Sequence, residues 1–478
     1  MRTWMLLLGA LLPVLFSGCA NKALVRYEKI AKQAASQNYQ VAIDRIRKDR
    51  SSLYGSQSEL LFHMDVGLLF HYAALYDSSN FYLQKAVRLK DELYAKSVTQ
   101  EAATFLTNDN IRPYRGKQYE ITWLHLIMAF NYLAQDKNDD ARVEVRQAQL
   151  FLDEVKRKAG SDSSSFRDDG LFRTVAALIY EALGEQDDAL ISLYQAVKAY
   201  KDAHLNVPAG LARYAYTALS THDRQNDVQT LGLTTPNLDQ AATFSPTFGQ
   251  TEIIVVGELG QSPTLGETVF WGTWVRDGIL VFHYRDAKGN IITEALPAPG
   301  LPPSAYGKNS QGGTRSGTTF HVKWAMPSLR EVSSQSQYLR VVNGTTPFSG
   351  ETYADTHDLV SQDLTSHRAS TLTRTIVRVV ARTMASETTK SALNTGNPLV
   401  NLLLNIGTDV LGDQLEQADT RLWFLLPRSM QITRIPVKPG RITLTLTAEG
   451  RGQTVSTETR TIEVKLGQKK FVFFTSLK

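Results

Sequence analysis

The stretch AFNYLAQDKNDDARVEVRQA, residues 129–148, decides the fold of the first half of this chain. It contains a small residue, an aromatic residue three positions later, and then a polar bend. After the bend come a small residue, an aliphatic residue four positions later, and a second small residue three positions after that. These positions are Ala129, Tyr132, Ala141, Val145 and Ala148. Because residues three and four apart lie on one face of a helix, the stretch predicts two antiparallel helices that pack closely through their small residues.

The same spacing occurs twice more, so the first half is predicted to be repetitive. One copy has Gly67, Phe70, Ser79, Leu83 and Ala86, and the other has Ala177, Tyr180, Ala189, Leu193 and Ala196. A partial copy ends at Ala42 and Ile46. Self-similarity of this kind is typical of solenoids, whose concave surfaces bind peptides or proteins. The alternative is a generic bundle of amphipathic helices.

The pattern resembles the tetratricopeptide repeat, which places small and aromatic residues at set offsets over two helices. The distance between copies is irregular here, so the resemblance implies degenerate repeats. We therefore expect an all-α, tetratricopeptide-like domain over residues 19–230.

The second half has a different composition, rich in Thr, Val, Gly and Pro, and favours strands. The predicted strands are Thr251–Val256, Thr268–Trp274, Ile279–Tyr284, Phe320–Ala325, Tyr338–Val342, Ile442–Thr447, Thr461–Leu466 and Lys470–Thr475. The last three suggest a small antiparallel sheet. We expect an α+β protein whose residues 245–478 form a β-rich, sandwich-like domain with a helical insertion at about 358–418.

Two segments of that insertion have helical features. Thr371–Ala385 has helical spacing, with arginines including Arg378 on the side opposite its aliphatic residues. Pro398–Leu411 is the most apolar stretch after the N-terminus. Its length is typical of a buried core helix, and the alternative is a helix that contacts a partner or a membrane.

The N-terminus has the layout of an export signal over residues 1–18. A basic start precedes an apolar run at residues 4–16, which is too short to span a bilayer, and then come Ser17, Gly18 and Cys19. This end resembles the bacterial lipobox, which implies cleavage after Gly18 and acylation of Cys19. Ala20 then implies the outer membrane. The alternative is an ordinary signal peptide with a chance cysteine.

Cys19 is the only cysteine, which excludes an internal disulfide and a cysteine-based metal site. No zincin, nucleophile-elbow or phosphate-loop motif occurs. The net charge of +5 comes without a basic stripe, so nucleic acid is not an expected partner. We therefore expect no enzyme activity, no cofactor and no metal.

One block near the C-terminal strands carries a second resemblance. Residues 416–423, EQADTRLW, followed by Leu426-Pro427, resemble a family of uncharacterised bacterial outer-membrane lipoproteins that join tetratricopeptide-like helices to a β-rich region. The resemblance implies architecture and location. From the residues alone, we expect Asp419 and Arg421 to form an ion pair or a helix cap, and Trp423 to pack into the sheet.

Together these features predict an outer-membrane lipoprotein, anchored by lipid on Cys19 and facing the periplasm. Its expected function is that of a scaffold that binds protein partners of an envelope assembly or export machine. One alternative is a regulator of peptidoglycan synthases, which rests on analogy of fold. Another is a hydrolase of envelope polymers.

Overall fold

The computed structural model describes residues 20–104, 112–160, 166–234, 250–275, 279–286, 289–297, 320–386 and 417–478. The described chain is a mixed α and β protein with about twelve helices and three sheets in which antiparallel pairing prevails. Gly18, Cys19 and the apolar segment 398–411 lie outside the described residues.

Eleven helices precede the first strand of the described chain, and the twelfth lies between the eighth and ninth strands. They are α1 (Ala20–Ala35), α2 (Tyr39–Lys48), α3 (Arg50–Leu53), α4 (Glu59–Tyr72), α5 (Tyr76–Thr104), α6 (Gln118–Ala134), α7 (Asn138–Ala159), α8 (Gly170–Ala182), α9 (Gln186–Asp202), α10 (Ala209–Thr221), α11 (Gln225–Thr230) and α12 (Thr356–Ser386).

The helix pairs share one turn geometry. A residue in the left-handed region joins α4 to α5, α6 to α7, and α8 to α9, at Ala74 (φ 56°), Asp136 (φ 59°) and Gly184 (φ 75°). Each lies seven positions after the first residue of its repeat copy. The next amide donates to the carbonyl of the repeat aromatic, as Lys137 does to Tyr132 at 2.9 Å. This hydrogen bond closes the helix end in the manner of a Schellman motif.

The small residues of the repeat lie where the paired helices approach. A Cβ added at Gly67 would be 2.5 Å from Cδ2 of Leu83, closer than real Cβ contacts allow. The Ser79 hydroxyl donates to the Gly67 carbonyl at 2.7 Å. α4 and α5 therefore pack closely where Gly67 contacts Leu83, and both residues are positions of the repeat pattern.

Twelve strands form three four-stranded sheets in the described chain. The strands are β1 (Glu252–Leu259), β2 (Thr264–Val275), β3 (Ile279–Arg285), β4 (Ile291–Pro297), β5 (Phe320–Arg330), β6 (Tyr338–Asn343), β7 (Thr346–Ser349), β8 (Glu351–Asp355), β9 (Ser429–Pro436), β10 (Gly440–Gly450), β11 (Gln453–Val464) and β12 (Lys469–Ser476). The central sheet has the order β12-β1-β9-β8, the outer sheet β11-β10-β6-β7, and the lateral sheet β4-β3-β2-β5.

The central sheet is covered on both faces. Ile254 and Val256 of β1 belong to the core shared with the helices, whereas Ile253 and Val255 belong to a second core shared with the outer sheet. All eight residues of β1 are buried. A strand buried on both faces is a continuous apolar run rather than an alternating one, and IIVV fits that rule.

The central sheet also covers the first helices of the hairpins. The ring of Phe473 on β12 lies 4.9 Å from that of Phe130 on α6 and 5.9 Å from that of His71 on α4. The Tyr200 hydroxyl donates to the Tyr353 carbonyl on β8 at 2.5 Å. The chain's own central sheet therefore covers part of the helical half.

One sequence expectation needs correction. The last three strands do not form one antiparallel sheet, because β12 pairs in parallel with β1 while β10 and β11 pair in the outer sheet. The inserted helix begins at Thr356, at the end of β8. Arg378 on that helix is 2% exposed. Among the described residues, no helix is long and apolar enough to cross a bilayer.

Candidate functional site

An open groove lies between the lateral sheet and the first half of α12. Its volume is about 1220 Å³, and its walls come from β2, β3, β5, α12 and the residue before α6. The lining includes the aromatic side chains of Phe270, Trp271 and Tyr284 and the basic side chains of Lys323 and Arg368. We call it the lateral groove. Its mixture of aromatic and charged groups suits a polymer that offers both apolar and polar surface.

The aromatic wall rests on a packed cluster in the lateral sheet. The rings of Phe270 and Trp324 stack with centroids 5.5 Å apart and an interplanar angle of 8°. Phe282 joins both rings at 5.8 and 5.5 Å. Because these rings are buried, they fix the position of the groove wall. The Tyr284 hydroxyl donates to Glu294 at 2.9 Å, which orients that ring too.

Three charged groups meet at the edge of the groove. Lys117 Nζ lies 3.2 Å from one oxygen of Asp363, and His367 Nδ1 lies 3.3 Å from the other. Burial alone would raise the pKa of the Asp363 carboxyl, but Lys117 and His367 lower it below its ordinary value. The hydrogen bond to Asp363 raises the pKa of His367. The group is thus a stable ion cluster that joins α12 to the helical half.

A small cavity of about 90 Å³ lies behind this cluster, between α6, α8, α9, β8 and α12. Asp363 and His367 line both the cavity and the lateral groove. Tyr200 forms one wall, and it packs so tightly on Gly170 that an added Cβ there would be 2.4 Å from the ring. A cavity of this volume holds a few water molecules at most, so the lateral groove is the larger binding site.

A second polar centre is buried between α4, α6 and the central sheet. His71 Nε2 lies 3.0 Å from Glu258 on β1, and Nδ1 lies 2.6 Å from the side-chain oxygen of Asn131. Thr475 donates to the other oxygen of Glu258 at 2.7 Å. Burial lowers the pKa of His71, but Glu258 and the two hydrogen bonds raise it above its ordinary value overall. This centre fixes the helical half on the sheet.

A third centre holds four charges within the interface. Arg434 on β9 makes a bidentate pair with Glu252, at 2.9 and 2.6 Å. Lys469 on β12 contacts Glu252 and lies 2.9 Å from Glu181 on α8. Burial would raise the pKa of Glu252, but Arg434 and Lys469 lower it overall. Two acids and two bases cancel, as a buried charge cluster requires.

The block that resembles the lipoprotein family lies between the helices and the central sheet. Asp419 and Arg421 form an ion pair at 2.7 Å, and Arg421 also donates to the Arg112 carbonyl at 2.8 Å. Trp423 is fully buried, and its amide donates to Glu120 on α6 at 2.7 Å.

The rest of the block leads toward the start of α12. The buried Pro427 accepts a hydrogen bond from the Thr356 hydroxyl at 3.1 Å. The block therefore joins α6, α12 and the central sheet.

The repeat residues lie in helix contacts rather than along the lateral groove. Gly67 and Phe70 are on α4, Ala86 on α5, Ala129 and Tyr132 on α6, Ala141 and Ala148 on α7, Ala177 and Tyr180 on α8, and Ala189 and Ala196 on α9. All are buried except Tyr132, which is half-buried. The lateral groove contains none of them.

Sequence reasoning did not predict the groove or the buried charges. A signal for the charges exists, since Glu252 and Glu258 flank the apolar run IIVVG, where charged side chains need partners. Asp363 and Lys117 are 246 positions apart, and no local pattern links them. In the described ranges, no group of three or more His, Cys, Asp or Glu residues is arranged to hold a metal ion.

Comparisons of the chain with models of known protein families, with curated proteins and with solved structures find no match.

Proposed function

We propose that this protein is an outer-membrane lipoprotein that acts as a periplasm-facing scaffold for protein partners of an envelope assembly or export machine. The observation that carries the proposal is the lateral groove. Its volume of about 1220 Å³ exceeds the roughly 300–1,000 Å³ of small-molecule pockets. A segment of a polymer, such as an extended peptide of a partner protein, matches that size better than a metabolite.

The edge strand and the lining side chains of the groove support a peptide as the occupant. β5 is an edge strand of the lateral sheet, and it carries Pro327, a residue that strands tolerate at their edges. Trp271 and Tyr284 offer apolar faces, while Lys323 and Arg368 offer charged donors. Interfaces between proteins favour aromatic and arginine anchors of this kind.

The anchoring part of the proposal rests on Ser17-Gly18-Cys19 and on the absence of any other cysteine. Covalent lipid contributes roughly 0.8 kcal/mol per buried CH₂, so several chains on one residue give stable attachment. The first helix begins at Ala20. The tether is therefore short, and the helical half would be held close to the membrane.

We also propose a finer description of the fold. The shared hairpin turns at Ala74, Asp136 and Gly184 support degenerate tetratricopeptide-like repeats in the helical half. The second core, between the central and outer sheets, supports a sandwich-like β region. On this basis we keep the proposed membership in the family of bacterial lipoproteins that the block around Trp423 resembles.

A regulator of peptidoglycan synthases is the second candidate, and it requires a body long enough to reach the inner membrane. The contacts of His71 with Glu258 and of Trp423 with Glu120 fold the two halves onto each other. Solution scattering of the full chain separates the candidates. A compact particle supports the scaffold, whereas an elongated one favours the synthase regulator.

The direct test is crosslinking in intact cells from a photoreactive amino acid in the groove. Lys323 is exposed and lines the groove, and Arg451 is also exposed, in the turn between β10 and β11. We expect capture of a defined envelope protein from position 323 and not from position 451. Equal products from both positions, or none from position 323, would refute groove binding.

A further inference from the structure

Three outer helices of the repeat carry exposed apolar side chains at one equivalent position. Phe81 on α5, Val143 on α7 and Ile191 on α9 each lie two residues after the small residue that begins the second half of their copy. They are 54%, 51% and 44% exposed. We call them the apolar ridge. An exposed apolar side chain is common singly, but its recurrence at one repeat position defines a surface.

An acidic row lies on one side of this ridge. Asp77, Asp139 and Asp187 each stand four residues before the apolar residue of their helix. The side chains of Asp77 and Asp139 are 87% and 78% exposed, and Asp187 is exposed as well. Since residues four apart share a helix face, the acids and the apolar residues face the same way. Acids in the first turn also suit the helix dipole.

A basic row lies on the other side. Lys85 on α5, Arg146 on α7 and Lys198 on α9 follow the apolar residue by four, three and seven positions. All three are exposed. Arg146 lies 3.6 Å from Glu185 and Lys198 lies 2.5 Å from Asp202, so these two bases are partly compensated within the chain.

Contacts among α5, α7, α9 and their first residues show that the rows run side by side. Lys137, just before α7, lies 3.9 Å from Asp77 on α5. The ring of Tyr94 on α5 lies 6.1 Å from that of Phe151 on α7. Arg142 on α7 contacts Glu185, just before α9. The surface thus has three parallel rows across the helices, acidic, apolar and basic.

We infer that this surface binds a second copy of the same chain. A two-fold axis that runs along the apolar ridge turns the surface over and places the acidic row of each copy against the basic row of the other. The apolar ridges then meet each other on the axis. Such a contact is isologous, the commonest kind in homodimers. No other orientation of two identical surfaces matches all three rows.

The size of the surface sets the expected strength. With about 10 Å taken as the width of each of the three helices, and about eleven residues at 1.5 Å rise, the surface measures roughly 30 by 17 Å, or about 500 Å² per copy. Stable complexes bury about 800 Å² per partner. The dimer is therefore a weak one that forms at high local concentration, such as on a membrane, and that weakens with salt.

Crosslinking through introduced thiols tests the symmetry, because Cys19 is the chain's only cysteine. In the V143C variant of the full chain, the new thiol lies on the two-fold axis and faces the same thiol of the second copy. The matched control is L150C, in the same helix and 63% exposed in the wild type. It lies about 10 Å from the axis, so two copies are about 21 Å apart. With a short bismaleimide reagent on intact membranes, we expect a covalent homodimer from V143C only. No dimer from V143C, or equal yields from both variants, would overturn the inference.

Charge reversal tests the pairing of the rows. In the V143C background, one variant carries Asp77→Lys and Asp139→Lys, and a second carries Lys85→Glu and Arg146→Glu. Each alone should lose at least about tenfold in crosslinking, because like charges now face each other. Coexpression with different tags should restore a heterodimer, which also shows that both variants fold. Undiminished crosslinking of either variant alone, or failure of the mixture, contradicts the model.

Discussion

Replacing Lys469 by Met removes one charge from a buried cluster of four. Its ammonium group lies 2.9 Å from Glu181 and also contacts Glu252, and all three side chains are 0–1% exposed. In the variant, Arg434 still neutralises Glu252 through two hydrogen bonds. Glu181 then keeps its hydrogen bond from the Tyr214 hydroxyl but loses the ammonium group that lies 2.9 Å from it. Two acids and one base of the cluster remain, so the interface between the helices and the central sheet carries a net negative charge.

The expected loss of unfolding free energy is about 3–5 kcal/mol, the usual cost of breaking a buried pair by removing one partner. Because domains are typically stable by only about 5–15 kcal/mol, this loss is a large fraction of the total. With a urea m value of roughly 3 kcal/mol per M, the midpoint should fall by about 1–1.7 M. Circular dichroism during urea unfolding of the full chain measures this shift.

The neighbouring residue provides a matched control. Lys470 pairs with Asp136, but the two side chains are 17% and 51% exposed. Lys470→Met should cost at most about 1 kcal/mol, as surface pairs do. Adding Glu181→Gln to Lys469→Met should recover part of the loss, because it restores the balance of acids and bases in the cluster. If the two single variants differ by less than about 1 kcal/mol, the assigned burial of the cluster is wrong.

Three further predictions test the anchor, a buried acid and a turn. Cys19→Ala should leave the protein in the soluble periplasmic fraction, and its recovery with membranes would contradict lipid anchoring. Burial raises the pKa of Asp65 well above its ordinary value, so its contribution to stability is present below about pH 4 and is lost as pH rises toward the folded-state pKa. Between about pH 4 and the folded-state pKa, the unfolding free energy of Asp65→Asn should therefore rise relative to that of wild type by about 1.4 kcal/mol per pH unit. Unfolding curves at several pH values measure this, and a difference between the two proteins that does not change with pH would argue against it. Gly184→Ala places a Cβ on a residue with φ 75° and should lower the unfolding free energy by about 1–2 kcal/mol. A thermal midpoint equal to that of wild type would contradict a left-handed conformation at this turn.

The lateral groove and the outer helices are the two separate surfaces for which we propose association. The groove lies between the lateral sheet and α12, whereas the apolar ridge around Val143 lies on α5, α7 and α9. A self-associated scaffold would present two grooves per dimer, and paired sites increase avidity without any new contact. Loss of groove capture with intact dimerisation, or the reverse, would show that the two surfaces act independently.

The sequence by itself determined the helical half and most of the strands. The spacing of Ala129, Tyr132 and Ala141 depends only on helix periodicity, which is local, and the helices α6 and α7 occupy that stretch. Strands such as β1 and β6 were predictable because β-branched runs bounded by turn residues favour extended backbone.

Strand pairing and the candidate site were decided by the tertiary structure alone. β12 follows β11 directly but pairs in parallel with β1, more than 200 residues away, because both of its faces need apolar cover. Arg378 lies on the side of α12 opposite the aliphatic residues, yet it is buried. Lys117 and Asp363 meet at the groove only after both halves have folded together. Local sequence patterns specify helices and strands. Contacts between residues that are distant in sequence depend instead on which helix and sheet surfaces become buried against each other.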